Sequence, residues 1–152
     1  MRAGNQLASL LAITKREQQA DFESHLHFVR TELTHKLDES NYRAGLDIVG
    51  LVDRTQHPEF HVIAWFEQIG VLVRTRYLEE AVYLDVASGR VAFYWDLLSP
   101  AIAVRRRRAP SFALNFEYLA GRAKRALAEQ EREPVRFERL ALDDPWHTDE
   151  RT

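Results

Sequence analysis

The chain contains no cysteine. That excludes disulfides, a catalytic thiol, thiolate zinc sites and cysteine-held iron–sulfur clusters, and it fits a reducing cytoplasm. Proline and glycine are scarce, five and six in 152 residues, and Asn5 to Leu37 holds neither. Charge of one sign is also missing: the formal net charge is −2. No global field therefore draws nucleic acid or an anionic membrane, and any basic site has to be local. Long hydrophobic runs are absent too. The stretch LASLLAI from Leu7 to Ile13 is far below the roughly 20 residues that cross a bilayer, and it lacks the flanks of a secretory signal. There is no glycine-rich phosphate loop, no nucleophile elbow and no Ser/His/Asp ordering to build on.

What is present is a core. Hydrophobic residues make up 45% of the chain, enough for one domain of this length. Their spacing is helical. Phe22, Leu26, Val29, Leu33 and Leu37 recur at three and four, as do Val62, Phe66, Ile69, Val73 and Tyr77, and then Phe112, Phe116, Leu119, Ala123 and Leu127. Thr14 to Asp21 is too polar for core, so the first 37 residues read as a long helix with a solvated waist or as two helices. Asp38 or Ser40 is placed to cap the next helix, Pro58 to open the third, and Ser111 to cap the last. Tyr77 to Trp95 admits two readings: a helix broken at Ser88-Gly89, or a hairpin in which Val82, Leu84 and Val86 face one side. The expected fold is all-α, a single-domain antiparallel bundle of four to six helices over residues 1–133, with residues 1–20 as a projecting helix. The alternative is α+β with a hairpin near residues 82–95. Residues 134–152 read as a polar C-terminal tail, within which Val135 to Leu142 has the composition of a short packed element.

The stretch DLLSPAIAVRRRRAPSF, Asp96 to Phe112, holds the only feature that looks like a binding site. Pro100 predicts a kink or restart, and Pro110 predicts a helix end near Arg108. Arg105, Arg106, Arg107 and Arg108 then fill a last helical turn, where the helix dipole favours positive charge. Continuing the face of Leu98 and Ile102 turns Arg105 and Arg108 inward, to pair with Glu67 or Glu117, and leaves Arg106 and Arg107 outward for a partner. Trp95 is expected in the core and Pro100 at a bend. Arg122, Lys124 and Arg125 add to a local basic excess, in which Phe112 and Phe116 would serve as stacking platforms if they were not core.

Several constellations carry little weight. The spacing from Arg30 to His35 (RTELTH), and that from Arg54 to His61, matches the arginine–histidine spacing of HEPN ribonucleases. With 18 arginines and 6 histidines, about two such spacings arise by chance, and two occur. His57 and His61, four apart, could share a helix face and hold a metal, while His25 and His27 are only two apart; HPEFH is not the zinc motif HExxH. No catalytic residue, metal site or cofactor is assigned.

Three stretches, FEQIGVLVRTRYLEEAVY, FYWDLLSPAIAVRRRR and NFEYLAGRAKRA, resemble an uncharacterised family of all-helical bacterial domains of unknown function. The matching positions are Phe66-Glu67, Trp95, Leu98, Pro100, Ile102, Arg106, Phe116-Glu117 and Leu119-Ala120, between about Val62 and Ala126. Members often carry an N-terminal membrane helix, for which this chain supplies no span. The resemblance implies an all-helical fold and no reaction. The expected function is a non-enzymatic, cytoplasmic interaction module with a protein partner or a second copy of itself. The alternatives are a nucleic-acid or phosphate binder using Arg105 to Arg108, and a ribonuclease using Arg30 and His35.

Overall fold

A computed structural model describes residues 2–132 and 138–146. Among them there are seven helices and no strands: α1 (Arg2–Glu17), α2 (Ala20–Thr31), α3 (Leu33–Asp38), α4 (Ser40–Leu46), α5 (Glu59–Arg74), α6 (Glu80–Arg105) and α7 (Leu114–Arg132). The fold is all-α, with one helix more than the upper expectation. The excess comes from the first 46 residues, which break near Gln18-Gln19, at Glu32 and at Glu39. The cap of α4 falls on Glu39, between the two expected candidates, and no side chain bonds there.

The hairpin alternative is overturned. α6 runs unbroken for 26 residues, through Ser88-Gly89 and through Pro100. Leu84, Ser88, Val91, Leu98 and Ile102 are buried and Trp95 lies partly buried between them, a three–four stripe that the polar Ser88 disguised. Val86, by contrast, is 76% exposed, which separates it from the strand face it would have shared with Leu84. Pro100 does not restart the helix. It deprives the Asp96 carbonyl of its usual donor, and the Ser99 hydroxyl stands 3.4 Å from that oxygen.

The core gathers around Phe66, which stacks on Phe116 at 5.0 Å and tilts against Tyr94 at 5.8 Å. Trp95 meets Phe116 edge-on at 5.0 Å, half-buried rather than enclosed. Phe22, Leu26, Val29 and Leu33 contribute the buried stripe of α2 and α3. Tyr77 leaves the α5 stripe and is exposed, because α5 ends at Arg74 and Arg76 turns left-handed at φ 65°.

α7 begins at Leu114 rather than behind Ser111. Ala113, with φ 61°, occupies the cap position, and its methyl group cannot accept a hydrogen bond. The cap comes from α5. Glu67 accepts from the Phe116 amide at 2.8 Å, the Asn115 amide at 3.3 Å and the Asn115 side-chain amide at 2.8 Å. A carboxylate over the free amides of a first helical turn satisfies donors and complements the dipole. One turn further along α5, Gly70 faces the Asn115 backbone with no room for a Cβ. Arg74 then donates to Asn115 Oδ1 at 2.7 Å. Glu67, Gly70 and Arg74 thus form one face of α5 that seats the start of α7.

Residues 138–146 follow no helix, and Leu140 and Leu142 are exposed. The expected packed element therefore fails over its described part, residues 138–142; its remainder lies outside the described residues. So does the expected boundary at residues 133–134.

Candidate interaction surface at the arginine end of α6

α4 stops at Leu46, which leaves its last carbonyls without helical donors. The chain then bends, reaching φ +96° at Gly50, a value glycine takes without strain. Arg105, the last residue of α6, collects the carbonyls. Its guanidinium donates to Leu46 O at 3.2 Å, Ile48 O at 2.7 Å and Gly50 O at 2.6 Å. Because this backbone faces inward to the guanidinium, Val49 and Leu51 face outward, 87% and 96% exposed.

The neighbouring arginines flank that loop. Arg108 pairs with Asp47 at 2.8 Å, and Arg107 reaches the same carboxylate at 3.5 Å. Both are exposed, at 61% for the Arg107 side chain and 50% for Arg108. Arg106 turns the other way. It donates to Phe112 O and pairs with Glu117, both at 2.8 Å, and its Nη2 is buried without a partner.

The expected pairing is thereby corrected. Neither Arg105 nor Arg108 meets Glu67 or Glu117; Glu67 belongs to the start of α7, and Glu117 to Arg106. The inward pair is Arg105 and Arg106, and the outward pair is Arg107 and Arg108. The reason is local. α6 ends at Arg105, and the next residues form tighter turns, with the Arg108 and Ala109 amides both on Arg105 O at 3.1 Å. The 3.6-residue period cannot be continued past its last helical residue.

Asp47 titrates below its ordinary value, held down first by the hydrogen bond from Arg108 and then by the charges of Arg108 and Arg107. Asp21 is lowered by Arg16 and Glu23 by Arg30. A carboxylate depressed in the folded state adds stability above its unfolded value and loses it as pH falls. The stability these three carboxylates add is therefore expected to be complete at neutral pH and to fall as pH drops through the ordinary value of 3.8 for Asp47. A flat melting profile down to pH 3 in Glu59→Gln, which removes the opposite contribution of the buried Glu59, would contradict this.

Replacing Arg105 by Met is expected to free the loop. Hydrogen exchange and protease cutting within residues 47–52 rise, at a global cost of about 1–3 kcal/mol. Arg107→Ala stays within about 0.5 kcal/mol, as at an ordinary surface site. Equal protection of the loop in the two variants would sink this account.

A second polar group was not legible in the sequence. Glu59, fully buried, accepts from the Tyr42 hydroxyl at 2.6 Å and faces His57 Nδ1 at 3.0 Å. Burial pushes Glu59 up from the carboxylate range, against the pull of the Tyr42 hydrogen bond, and burial also raises Tyr42. His57 is 4% exposed and lies against Gly45, where a Cβ would overlap the ring. It is neither a surface residue nor a metal partner of His61. His61 stacks instead on His25, at 4.1 Å and 16°.

No group of three or more metal-holding side chains occurs among the described residues. Arg30 bonds the Tyr94 hydroxyl and Glu23, both at 2.7 Å, while His35 is exposed on α3. A shallow cavity of about 330 Å³ lies beside Phe60, Phe112 and Glu67, with Arg54 at its edge. The Glu67 carboxylate there is already engaged by α7.

Fold and surface together define a small all-helical domain with one fixed, apolar and basic end. The chain belongs to the family described as a domain of unknown function, DUF4760, whose model matches residues 6–123. The match begins in α1, well before the stretch whose motifs resemble such a family. Comparison with curated proteins and with solved structures finds no match. No described helix is long and apolar enough to cross a membrane.

Proposed function

We propose that this domain is a non-enzymatic interaction module that engages protein at its arginine end and self-associates, in the cytoplasm. One observation carries the reading: Val49 and Leu51 stand almost fully exposed on a backbone held at three carbonyls by Arg105. Loop tips that face only water favour polar residues. Here the apolar side chains are presented on a fixed loop, which lowers the entropy lost on binding.

The nucleic-acid alternative is less well supported. Arg105 and Arg106 spend their donors inside the protein, and Arg107 and Arg108 share Asp47. Phe116 is buried, and Phe112 has one face stacked on Phe60 at 5.2 Å, so the two do not form the exposed stacking pair a single strand would use.

The test is a photo-crosslinking residue in place of Leu51 in living cells. Adducts that protease removes and nuclease does not are expected. Nuclease-sensitive adducts, or no adduct, would overturn the reading.

A further inference from the structure

The arginine end has a chemical counterpart in the same chain. Leu140, Leu142 and Trp146 are exposed at 83%, 89% and 86%. They alternate with charge: Glu138, Asp143 and Asp144 against Arg139, a net of −2. Asp144 accepts from the Trp146 backbone amide at 3.1 Å, which ties the aspartate to the tryptophan's backbone. At the other face, four arginines stand against Asp47 and Glu117, a net of +2, and Val49 and Leu51 are exposed on the loop that Arg105 holds.

We propose that the arginine end of one chain receives residues 138–146 of a second copy. The inference rests on the reading of that end as a protein-docking surface. Leu142 and Trp146 cover Val49 and Leu51, and Asp143 and Asp144 approach Arg107 and Arg108. The same chain has little slack to reach its own site. Arg106 ties the site to the start of α7, and the 19 residues of α7 carry Arg132 about 28 Å away. The ten residues from Arg132 to Leu142 span at most about 33–36 Å fully extended. A second copy has no such limit, and mutual exchange closes a two-fold dimer.

The experiment is sedimentation velocity on the full chain over a concentration series, with circular dichroism to verify the fold. The substituted side chains are exposed, so the fold is expected to hold. Wild type is expected to dimerise as concentration rises. Leu51→Glu and Trp146→Ala each weaken the dimer tenfold or more. Mixing those two variants restores a mixed dimer through the one intact contact, and Asp144→Arg partly rescues Arg107→Glu.

A chain that is monomeric at every concentration overturns the proposal. So does tail docking that is independent of concentration, which places the tail on its own chain. A dimer broken by Leu51→Glu but untouched by Trp146→Ala and Leu142→Ser overturns the tail as occupant and leaves the arginine end as a docking surface. A dimer indifferent to Leu51→Glu sinks both. Flotation of a monomer with phosphatidylserine vesicles, abolished by Leu51→Glu, transfers the surface to lipid.

Discussion

Glu59→Ala is expected to cost about 3–5 kcal/mol in urea unfolding. It removes the partner of the buried His57 ring and of the half-buried Tyr42 hydroxyl. The His57 ring at 3.0 Å is closed on its far side by Gly45, and the Tyr42 hydroxyl loses its contact at 2.6 Å. Replacing the polar group with apolar residues, Tyr42→Phe with His57→Leu and Glu59→Leu, should recover most of the loss, because removing every polar partner leaves nothing orphaned. A loss below about 1 kcal/mol in Glu59→Ala would mean that water already serves these groups. The pH signature has its own sign. Burial raises the folded-state value of Glu59, so its contribution is complete below the ordinary carboxylate value and lost as pH rises through the folded one. Glu59→Gln should remove that decline.

Gly70→Ala is expected to destabilise by about 3 kcal/mol, the upper part of the range for overpacking. The added Cβ would lie 2.6 Å from the Asn115 carbonyl carbon, and backbone in a first helical turn cannot swing aside as a side chain does. Gly89→Ala supplies the opposite sign within one protein. Its Cβ meets nothing within 4 Å in mid-helix α6, so it should stabilise by about 0.5–1 kcal/mol. Thermal melting of the two variants reads both. If they shift the midpoint alike, the close seat of α7 on α5 is wrong.

Helical class and most of the core were legible in the sequence, because apolar residues at three and four carry the signal directly. Phe22 and Leu26 on α2, with the stripes of α5 and α7, required no tertiary knowledge; Phe66, Ile69, Val73, Phe116 and Leu119 all fall where the period puts them. α6 was harder, since alternation at Val82, Leu84 and Val86 imitates a strand and only burial separates them. The arginine end was half legible. Its composition was visible, but its pairing depended on where α6 stops and on a loop some 55 to 59 residues upstream. The triad of Tyr42, His57 and Glu59 left no periodic trace. A buried carboxylate looks like a surface one until the fold places donors around it.

The cap of α7 bears on the order in which the chain folds. Starting a helix is the costly step, and a poor cap raises that cost. Ala113 offers nothing, and the acceptor that serves instead lies 48 residues before Asn115, on α5. A synthetic peptide of residues 114–132 is therefore expected to show little helix by circular dichroism, and strong helix there would refute this. In the whole chain, the first turn of α7 has to wait for α5 to be helical, so that Glu67 and Gly70 share a face. Loop closure and helix initiation become one event, and the last helix records that the earlier one has formed.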